Sequence, residues 1–409
     1  MKRVMTKGSG DLDKLNGSGW DILAEEVSLP VAVVRQQAIT HNAHWMAQFT
    51  QASGALLAPH GKTTMSPELF GLQIAHGAWA ITVATVAQLS VAVAAKVQRV
   101  ILANQLVGVY HFKQVANMLR DTDVELYCFV DSIDNAQALG AFFSTCSLRL
   151  SILLEVGVMG GRAGWRDLNT LGELAEACQA YPCLNIAGIG FYEGVIHGDD
   201  AKEQIQQFVD AVMKTAKRLQ QQGIFSEALP IISGAGSAWY DVVASTFNQS
   251  PHAEQFQLVL RPGCYLIHDT GIYHDAQHAV LSRSQLACDI GDSLQSSLSI
   301  WAYVLSTPEP NMIIVGLGKR DVAFDAGMPT PELMYSVHAK QLRGINGALK
   351  VEKIMDQHAL ISAQSECEVA VGDMICFSTS HPCLTFDKWR EIGVVEQGWV
   401  ITHTIPTYF

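Results

Sequence analysis

Residues 149–192 read RLSILLEVGVMGGRAGWRDLNTLGELAEACQAYPCLNIAGIGFY, and this stretch shows the repeat that decides the fold. An apolar run at 149–156 is followed by apolar residues at helical spacing, 168–179, and then by a second apolar run, 185–192. This order predicts two parallel strands joined by a helical crossover. The repeat extends in both directions, and the predicted strands are 55–59, 80–85, 99–104, 125–130, 149–156, 185–192, 230–233 and 257–260.

Eight strand–helix repeats are the number that closes a (β/α)8 barrel, in which the site lies at the carboxyl ends of the strands. A doubly wound open sheet is the alternative, but no GxGxxG segment follows an early strand. After about residue 266, apolar runs are separated by turns with little helical spacing, which predicts a second, mostly β domain. We therefore predict an α/β chain with a barrel at 30–265 and a C-terminal β domain at 266–409.

The bulk properties exclude several classes of protein. The chain has 409 residues, a hydrophobic fraction of 49% and a net charge of −12, so a large core is expected and a nucleic-acid partner is not. No stretch reaches the roughly 18 apolar residues of a membrane span. The polar N-terminus predicts no signal peptide and hence a cytoplasmic protein. The nine cysteines include no CxxC pair, which argues against a disulfide framework or a zinc ribbon.

Reactive residues fall where the predicted strands end. Lys62 follows the first strand in APHGKTT, and a lysine at a crowded, partly desolvated strand end can form an imine. A solvated loop lysine is the alternative. The segment SGAGS, from Ser233 to Ser237, follows the seventh strand, and the glycines Gly234 and Gly236 let backbone N–H groups approach a phosphate. An ordinary turn is the alternative there.

Two further residues follow the fifth and sixth predicted strands. Arg162 lies in the glycine-flanked loop EVGVMGGRAG, from which it could donate to a cofactor phenolate or a substrate carboxylate. Tyr192 ends the sixth strand in FYEG and is a candidate partner for a pyridine nitrogen or a stacking surface. A flexible surface arginine and a core tyrosine are the alternatives.

The C-terminal domain contains the tripeptide HPC, with His381 and Cys383 two residues apart. On an extended segment, alternate residues point to the same side, so both side chains could bind one Zn²⁺. Two protein ligands leave positions open for water or substrate, as a Lewis-acid zinc requires. An HxC pair by itself is a common coincidence.

Taken together, APHGKT, EVGVMGGRAG, FYEG, SGAGS, LRPGCY and SHPC occur in the order seen in one enzyme family. From about residue 29 onward the chain resembles the D-serine dehydratase/D-threonine aldolase family. This is a branch of the fold-type III, alanine-racemase-like enzymes that use pyridoxal 5′-phosphate (PLP). The resemblance implies that Lys62 carries PLP as a Schiff base and removes the Cα proton of the substrate. It also implies that residues 234–237 and Tyr265 hold the phosphate, and that Arg162 lies near the phenolic oxygen.

The same resemblance implies that His381 and Cys383 bind a divalent metal. It implies a homodimer in which the second domain of one subunit contributes to the site of the other. The N-terminal segment, 1–29, is expected to join the β domain. Cysteine at 383 resembles the dehydratase branch, because aldolases often have aspartate there, and a thiolate favours zinc.

The sequence departs from the family pattern beside the lysine. Many relatives read KTHK where this chain reads KTTM, so a histidine is replaced by Thr64. The helper histidine expected of an aldolase has no assigned position, and His60 and His197 are the candidates. His60, two residues before Lys62, is also a candidate catalytic residue.

The predicted reaction is β-elimination from a D-3-hydroxy amino acid such as D-serine, giving a 2-oxo acid and ammonia. PLP is the electron sink and zinc activates the β-hydroxyl as a leaving group. The alternatives are a D-threonine aldolase, an amino-acid racemase that would need no metal, and a non-catalytic PLP-binding protein, which would not require HPC.

Overall fold

A computed structural model describes residues 6–363 and 368–409. These residues divide into two compact units. The barrel unit comprises residues 45–263 and 279–292, and the β unit comprises the described residues of 1–44, 264–278 and 293–409. This division places residues 30–44 with the β unit and returns residues 279–292 to the barrel unit, whereas the predicted boundaries lie at 29/30 and 265/266.

Strands and helices are numbered along the chain. The strands are β1 (Trp20–Asp21), β2 (Val31–Arg35), β3 (Leu56–Leu57), β4 (Ile81–Val83), β5 (Arg99–Gln105), β6 (Glu125–Val130), β7 (Leu150–Val156), β8 (Leu184–Phe191), β9 (Ile231–Gly234), β10 (Gln257–Leu260), β11 (Leu298–Glu309), β12 (Met312–Val315), β13 (Thr330–Ser336), β14 (Gln341–Gly344), β15 (Leu349–Ile354), β16 (Ala359–Ala363), β17 (Met374–Ser378), β18 (Glu391–Val395) and β19 (Val400–Pro406). The α-helices are α1 (Leu12–Leu15), α2 (Gln36–Ser53), α3 (Pro67–Ala75), α4 (Val86–Ala94), α5 (Val109–Asp121), α6 (Ile133–Cys146), α7 (Leu171–Gln179), α8 (Ala201–Gln221), α9 (Tyr240–Gln249), α10 (Ile272–Arg283), α11 (Gln285–Ile290) and α12 (Cys383–Phe386).

The barrel unit is a ring of parallel strands in the order β3-β10-β9-β8-β7-β6-β5-β4. The two end strands are joined where the Thr82 amide donates to the Pro59 carbonyl at 2.9 Å and His60 bridges Thr82. Each strand, or the residue next to it, supplies one buried side chain to a shared core: Ala58, Ala80, Ile101, Phe129, Leu153, Ala187, Ile231 and Val259. The predicted (β/α)8 barrel is confirmed.

Local sequence explains the crossover helices. The hydroxyls of Thr85 and Ser132 accept backbone N–H groups at the starts of α4 and α6, as N-cap residues do. Helix α8 buries Ile205, Val209 and Val212 on one face, as its helical spacing requires. Each helix therefore covers the barrel with an apolar face set by its own sequence.

The β unit is built on an antiparallel sheet with one parallel pair. Its strands run in the order β1-β19-β18-β2-β11-β12-β16-β15, and β17 joins β11 to the β13-β14 hairpin. The parallel pair is β2 with β18, so a strand near the N-terminus lies inside this sheet. Trp20 and Trp301 are buried in its core. The predicted mostly β second domain is confirmed.

One stretch differs from the sequence prediction. Residues after 266 were expected to show little helical spacing and to be mostly β, yet α10 and α11 occupy most of 272–290. Capping explains the difference, because Asp269 accepts the backbone N–H groups of Tyr273 and His274, and the Ser284 hydroxyl accepts that of Ala287. Within residues 6–363 and 368–409, no helix is both long and apolar enough to cross a membrane.

Candidate cofactor and metal sites

Lys62 lies on a single 3-10 turn, Gly61–Thr63, that follows β3. The turn is tightly packed, since a Cβ added to Gly263 would lie 2.7 Å from the His60 carbonyl oxygen. The predicted crowding thus holds for the backbone, but the Lys62 side chain itself is exposed, so the predicted partial desolvation is wrong. The turn carries Lys62 away from the packed strand end, which leaves its ammonium group accessible to a ligand.

Arg162 and Tyr192 come together, although they follow different strands. The Arg162 guanidinium carbon lies 4.7 Å from the centroid of the Tyr192 ring, and one of its nitrogens lies 3.9 Å from a Glu155 carboxylate oxygen. The Arg162 side chain is 54% exposed. A guanidinium over an aromatic face contributes about 0.5–1 kcal/mol at exposed sites. This contact sets the direction of an arginine that the loop alone would leave mobile.

The SGAGS segment forms an anion-binding turn, but its first donors are already paired. Ala235 has a φ of +68°, and its backbone N–H and that of Gly236 donate to the Glu193 carboxylate at 2.9 and 2.8 Å. Successive N–H groups around a left-handed residue form a concave anion site. The Gly236 N–H, one of the predicted phosphate donors, is accepted by the protein's own Glu193 carboxylate, and its contact with a phosphate stays a prediction.

Two more predicted phosphate residues have other contacts. The buried Ser233 hydroxyl donates to the Val259 carbonyl oxygen at 3.2 Å and accepts from Arg261 at 2.6 Å, so it holds β9 to β10, and its role toward a phosphate stays a prediction. The Ser237 hydroxyl accepts the Gly263 N–H at 3.3 Å. Tyr265 is buried in the β unit, and its role toward a phosphate stays a prediction.

A buried ionic network under this turn was missed by the sequence prediction. Arg261, 6% exposed, donates to the Phe191 carbonyl oxygen at 2.6 Å and to Ser233. Burial lowers its pKa to about 10, while Glu193 and Glu155 oppose that shift. Burial also raises the pKa of both carboxyl groups. We call Lys62, Glu155, Arg162, Glu193 and Arg261 the barrel-mouth cluster.

His60 adjoins this cluster as a neutral histidine. Burial lowers its pKa well below 6.5, and the positive charges of Lys62, Arg261 and Arg162 lower it further. The Nδ1 atom of His60 is buried and has no hydrogen-bond partner in the protein. An unpaired buried ring nitrogen costs stability unless a ligand engages it. The other candidate helper, His197, is exposed.

The HPC segment of the β unit places its imidazole against a carboxylate. His381 Nδ1 lies 2.7 Å from an Asp325 carboxylate oxygen. Hydrogen bonds with Cys383 and then with Asp325 raise the pKa of His381 to about 9, against the effect of burial. This surrounding stabilises positive charge at the imidazole. The Asp325 contact also leaves the Nε2 nitrogen for a metal, as in carboxylate–histidine–zinc sites.

The predicted extended conformation of HPC is wrong. Pro382 adopts the αR conformation as N-cap of α12, whose first residue is Cys383. Proline with its fixed φ suits the start of a helix, which explains the turn. The Cys383 sulfur lies 3.4 Å from the sulfur of the buried Cys264. Among the described residues, no group of three or more His, Cys, Asp and Glu side chains is arranged to hold a metal ion. His381 and Cys383 thus remain a two-ligand prediction.

Comparison with known proteins decides the family. The sequence pattern of the family described as "Alanine racemase, N-terminal domain" matches residues 34–268, and that of the "Putative serine dehydratase domain" matches residues 297–395. The chain belongs to the alanine-racemase-like, fold-type III family of PLP enzymes. The resemblance read from the motifs is confirmed.

Two of the three relatives below are similar over more than 90% of the chain, and the third over a third of it. A D-threonine aldolase from Arthrobacter sp. is 23% identical over 390 residues, covering 92% of each chain. A D-threo-3-hydroxyaspartate dehydratase from Delftia sp. is 31% identical over 135 residues, 33% of this chain and 35% of that relative. The crystal structure of a D-threonine aldolase from Filomicrobium marinum matches with a TM-score of 0.78 and 20% identity, covering 95% of this chain and 97% of that one. At this identity the last similarity shows the fold alone.

Within this family fold, a sequence signal could have found the missed residues. Glu155 is the next-to-last residue of β7, Glu193 lies two residues after β8, and Arg261 directly follows β10, and all three strands are mostly apolar. Charged residues at such positions are seldom buried unless they are paired. A charged residue at the carboxyl end of a parallel strand therefore indicates the functional face of a barrel.

Proposed function

We propose that the chain is a PLP- and zinc-dependent lyase acting on a D-3-hydroxy amino acid. The β-hydroxyl leaves as water, and the resulting product hydrolyses to a 2-oxo acid and ammonia. D-serine is the substrate we infer. The observation that carries this proposal is the pairing of His381 with Asp325 and Cys383, since a metal-binding pair suits removal of a poor leaving group.

The barrel-mouth cluster suits PLP. Arg162 and Arg261 act on the Glu155 carboxylate, Arg261 also acts on that of Glu193, and Lys62 lies near His60, so three basic groups accompany two carboxylates, a balance that favours an added phosphate. The unpaired Nδ1 of His60 offers one further polar contact. When bound, PLP supplies an electron sink for the substrate Cα.

The residues of the barrel unit then have separate roles. Lys62, the exposed lysine of the cluster, would hold the cofactor and accept the Cα proton. Arg162, oriented by the Tyr192 ring, would hydrogen-bond an anionic oxygen. The turn at 234–237 would hold the phosphate, using donors other than the two that Glu193 already engages. Arg261 fixes the strands beneath.

The HPC segment would bind the metal. His381 Nε2 and the Cys383 thiolate are donors that zinc prefers, and two protein ligands leave positions for water and for the substrate hydroxyl. Zinc would withdraw electron density from the oxygen of the coordinated hydroxyl group and stabilise the hydroxide as the C–O bond breaks. Asp325 would keep the imidazole in the tautomer that ligates through Nε2.

A retro-aldol reaction is the second candidate. The Arthrobacter aldolase and a 3-hydroxy-D-aspartate aldolase from Paracoccus denitrificans are similar over 92% and 94% of this chain. That reaction needs a base for the β-hydroxyl proton. His60, neutral and with Nδ1 unpaired, is the histidine of the barrel-mouth region that could serve.

The discriminating experiment identifies products. Purified PLP- and zinc-loaded enzyme is incubated with D-serine, D-threonine and D-threo-3-hydroxyaspartate, with L-serine as control and with a parallel chelator-treated sample. We expect ammonia and a 2-oxo acid, lost on zinc removal and restored by zinc. Glycine with an aldehyde would establish the aldolase instead. Full elimination activity without metal would refute the zinc assignment.

A further inference from the structure

A second cluster of histidines lies on and just before helix α10. The sequence HDTGIYHDAQH places His268 before the helix and His274 and His278 four residues apart within it. Residues at i and i+4 lie on the same face of a helix. The Nε2 atoms of His274 and His278 are 3.2 Å apart, and the His274 side chain is 47% exposed.

This separation suits two ligands of one metal ion. If each nitrogen lay about 2.05 Å from a shared zinc ion, the 3.2 Å separation would give an N–Zn–N angle of about 100°. That value is near tetrahedral. The Nδ1 atom of His274 lies 3.6 Å from an Asp275 carboxylate oxygen, which is too long for a hydrogen bond but places a negative charge beside the pair.

His268 gives a second, independent observation. It is 2% exposed, and neither of its ring nitrogens has a hydrogen-bond partner. Its ring centroid lies 6.4 Å from that of His274. Its φ of +54° is unusual for a residue other than glycine, and such strain often marks a functional position. Among the described residues the three histidines are not arranged around a common metal position, so His268, buried with two unpaired nitrogens, would have to turn to become a third ligand.

The backbone around the pair is held firmly. Asp269, fully buried, accepts the N–H groups of Gly271, Tyr273 and His274 through one carboxylate oxygen, at 3.0–3.1 Å. The helix start therefore keeps its geometry without a metal. The Tyr273 ring lies 6.1 Å from that of His381, so this turn also packs against the HPC segment.

We propose that His274 and His278 form a second site for a divalent transition metal, zinc being the ion tested, with His268 turning toward the pair as third ligand. Imidazole nitrogen suits Zn²⁺, Ni²⁺ and Cu²⁺. The proposed ligands are other residues than those of the HPC pair, and the proposal does not depend on the proposed reaction. Its occupancy would stabilise the first turn of α10.

The test removes the HPC ligands first. The full chain carrying His381→Ala and Cys383→Ala is titrated with Zn²⁺ by calorimetry, and thermal melting is followed with and without Zn²⁺. We expect one Zn²⁺ per chain and a rise in melting temperature. Adding His274→Ala or His278→Ala should weaken binding at least about tenfold and abolish the rise.

His111→Ala is the matched control, because His111 is also an exposed histidine in the first turn of a helix. It should leave zinc binding unchanged. His268→Gln keeps a polar side chain of similar size and should weaken binding about tenfold if His268 is a ligand. Unchanged affinity in His268→Gln would overturn the third ligand. No zinc binding in the background protein, or binding insensitive to both helix variants, would overturn the site.

Discussion

In the barrel unit, buried polar side chains are hydrogen-bonded to neighbouring strands. In the HPC segment, the two candidate metal ligands are hydrogen-bonded to each other. Arg261, Glu193 and Ser233 bond to backbone and side chains of neighbouring strands, so their positions are fixed without a ligand. In the β unit, by contrast, His381 and Cys383 are hydrogen-bonded to each other, and their surrounding stabilises a cation.

The two sites are encoded in the sequence in different ways. The barrel-mouth cluster draws on residues far apart in sequence, and the parallel strand ends bring them together. The HPC pair is local, and one distant carboxylate, that of Asp325, orients it. Removing a buried residue of the barrel-mouth cluster should therefore lower protein stability as well as cofactor binding. Removing an HPC ligand should cause loss of metal and activity with little loss of stability.

The largest effect is expected from Cys383→Ala. Loss of the thiolate removes one of two metal ligands, so kcat should fall by about a thousandfold, the scale of several kcal/mol of Lewis-acid stabilisation. Bound zinc is measured by elemental analysis beside steady-state kinetics. Cys288→Ala, at an exposed free cysteine, is the control. Normal zinc content and kcat in Cys383→Ala would contradict the local character of this site.

The next effect concerns the buried network. Arg261→Met leaves the Glu193 and Glu155 carboxyl groups without their buried cation, and should lower the free energy of unfolding by about 3–5 kcal/mol. Arg162→Met, at a side chain 54% exposed, should change it by about 1 kcal/mol or less. Urea unfolding of the PLP-free protein measures both. Equal effects of the two substitutions would show that burial does not distinguish these arginines.

A smaller effect is expected from Asp325→Asn. The amide keeps its size but no longer accepts the His381 proton as an anion, so zinc affinity should fall about 10–100-fold. Competition with a chromophoric chelator measures this change. The melting temperature of the metal-free protein serves as control and should stay nearly constant. An unchanged zinc affinity would mean that Asp325 does not orient the ligand.

The smallest effect is a pH dependence from His60. Its folded-state pKa lies well below 6.5, so as the pH falls below 6.5 the unfolded chain binds a proton that the folded chain does not. Stability from this group is therefore lost as the pH falls, by at most about 1.4 kcal/mol per pH unit. Unfolding of metal- and PLP-free His60→Gln and wild type at pH 7, 6 and 5 measures the difference. Parallel slopes would contradict a buried neutral His60.

The fold was predictable because its signals are local and repeated. Eight apolar runs alternating with helical spacing predicted the barrel strands, and the structure has a strand that overlaps each predicted range. Helices α10 and α11 were missed because capping by Asp269 and Ser284 starts them, and their apolar spacing is weak. The αR conformation of Pro382 was missed for a similar reason, since a short motif does not fix its own backbone.

Site residues that lie in a recognisable motif were predictable. Charged residues that pair across neighbouring strands were not. Lys62, Arg162 and HPC stand in recognisable segments. Nothing in the sequence pairs Glu193 with the N–H groups of Ala235 and Gly236, because that contact depends on how two strand ends meet. The assigned roles of the site residues and the homodimer stay predictions.

The assignment of Lys62 is tested most directly by identifying the lysine that holds PLP. PLP-loaded enzyme is reduced with borohydride, digested, and mapped by mass spectrometry, with Lys62→Ala treated in parallel. We predict a pyridoxyl group on the peptide containing Lys62, and none on any lysine of the variant. Pyridoxyl label on another lysine of the wild-type enzyme, or equal labelling of Lys62→Ala, would show that Lys62 is not the residue that holds PLP.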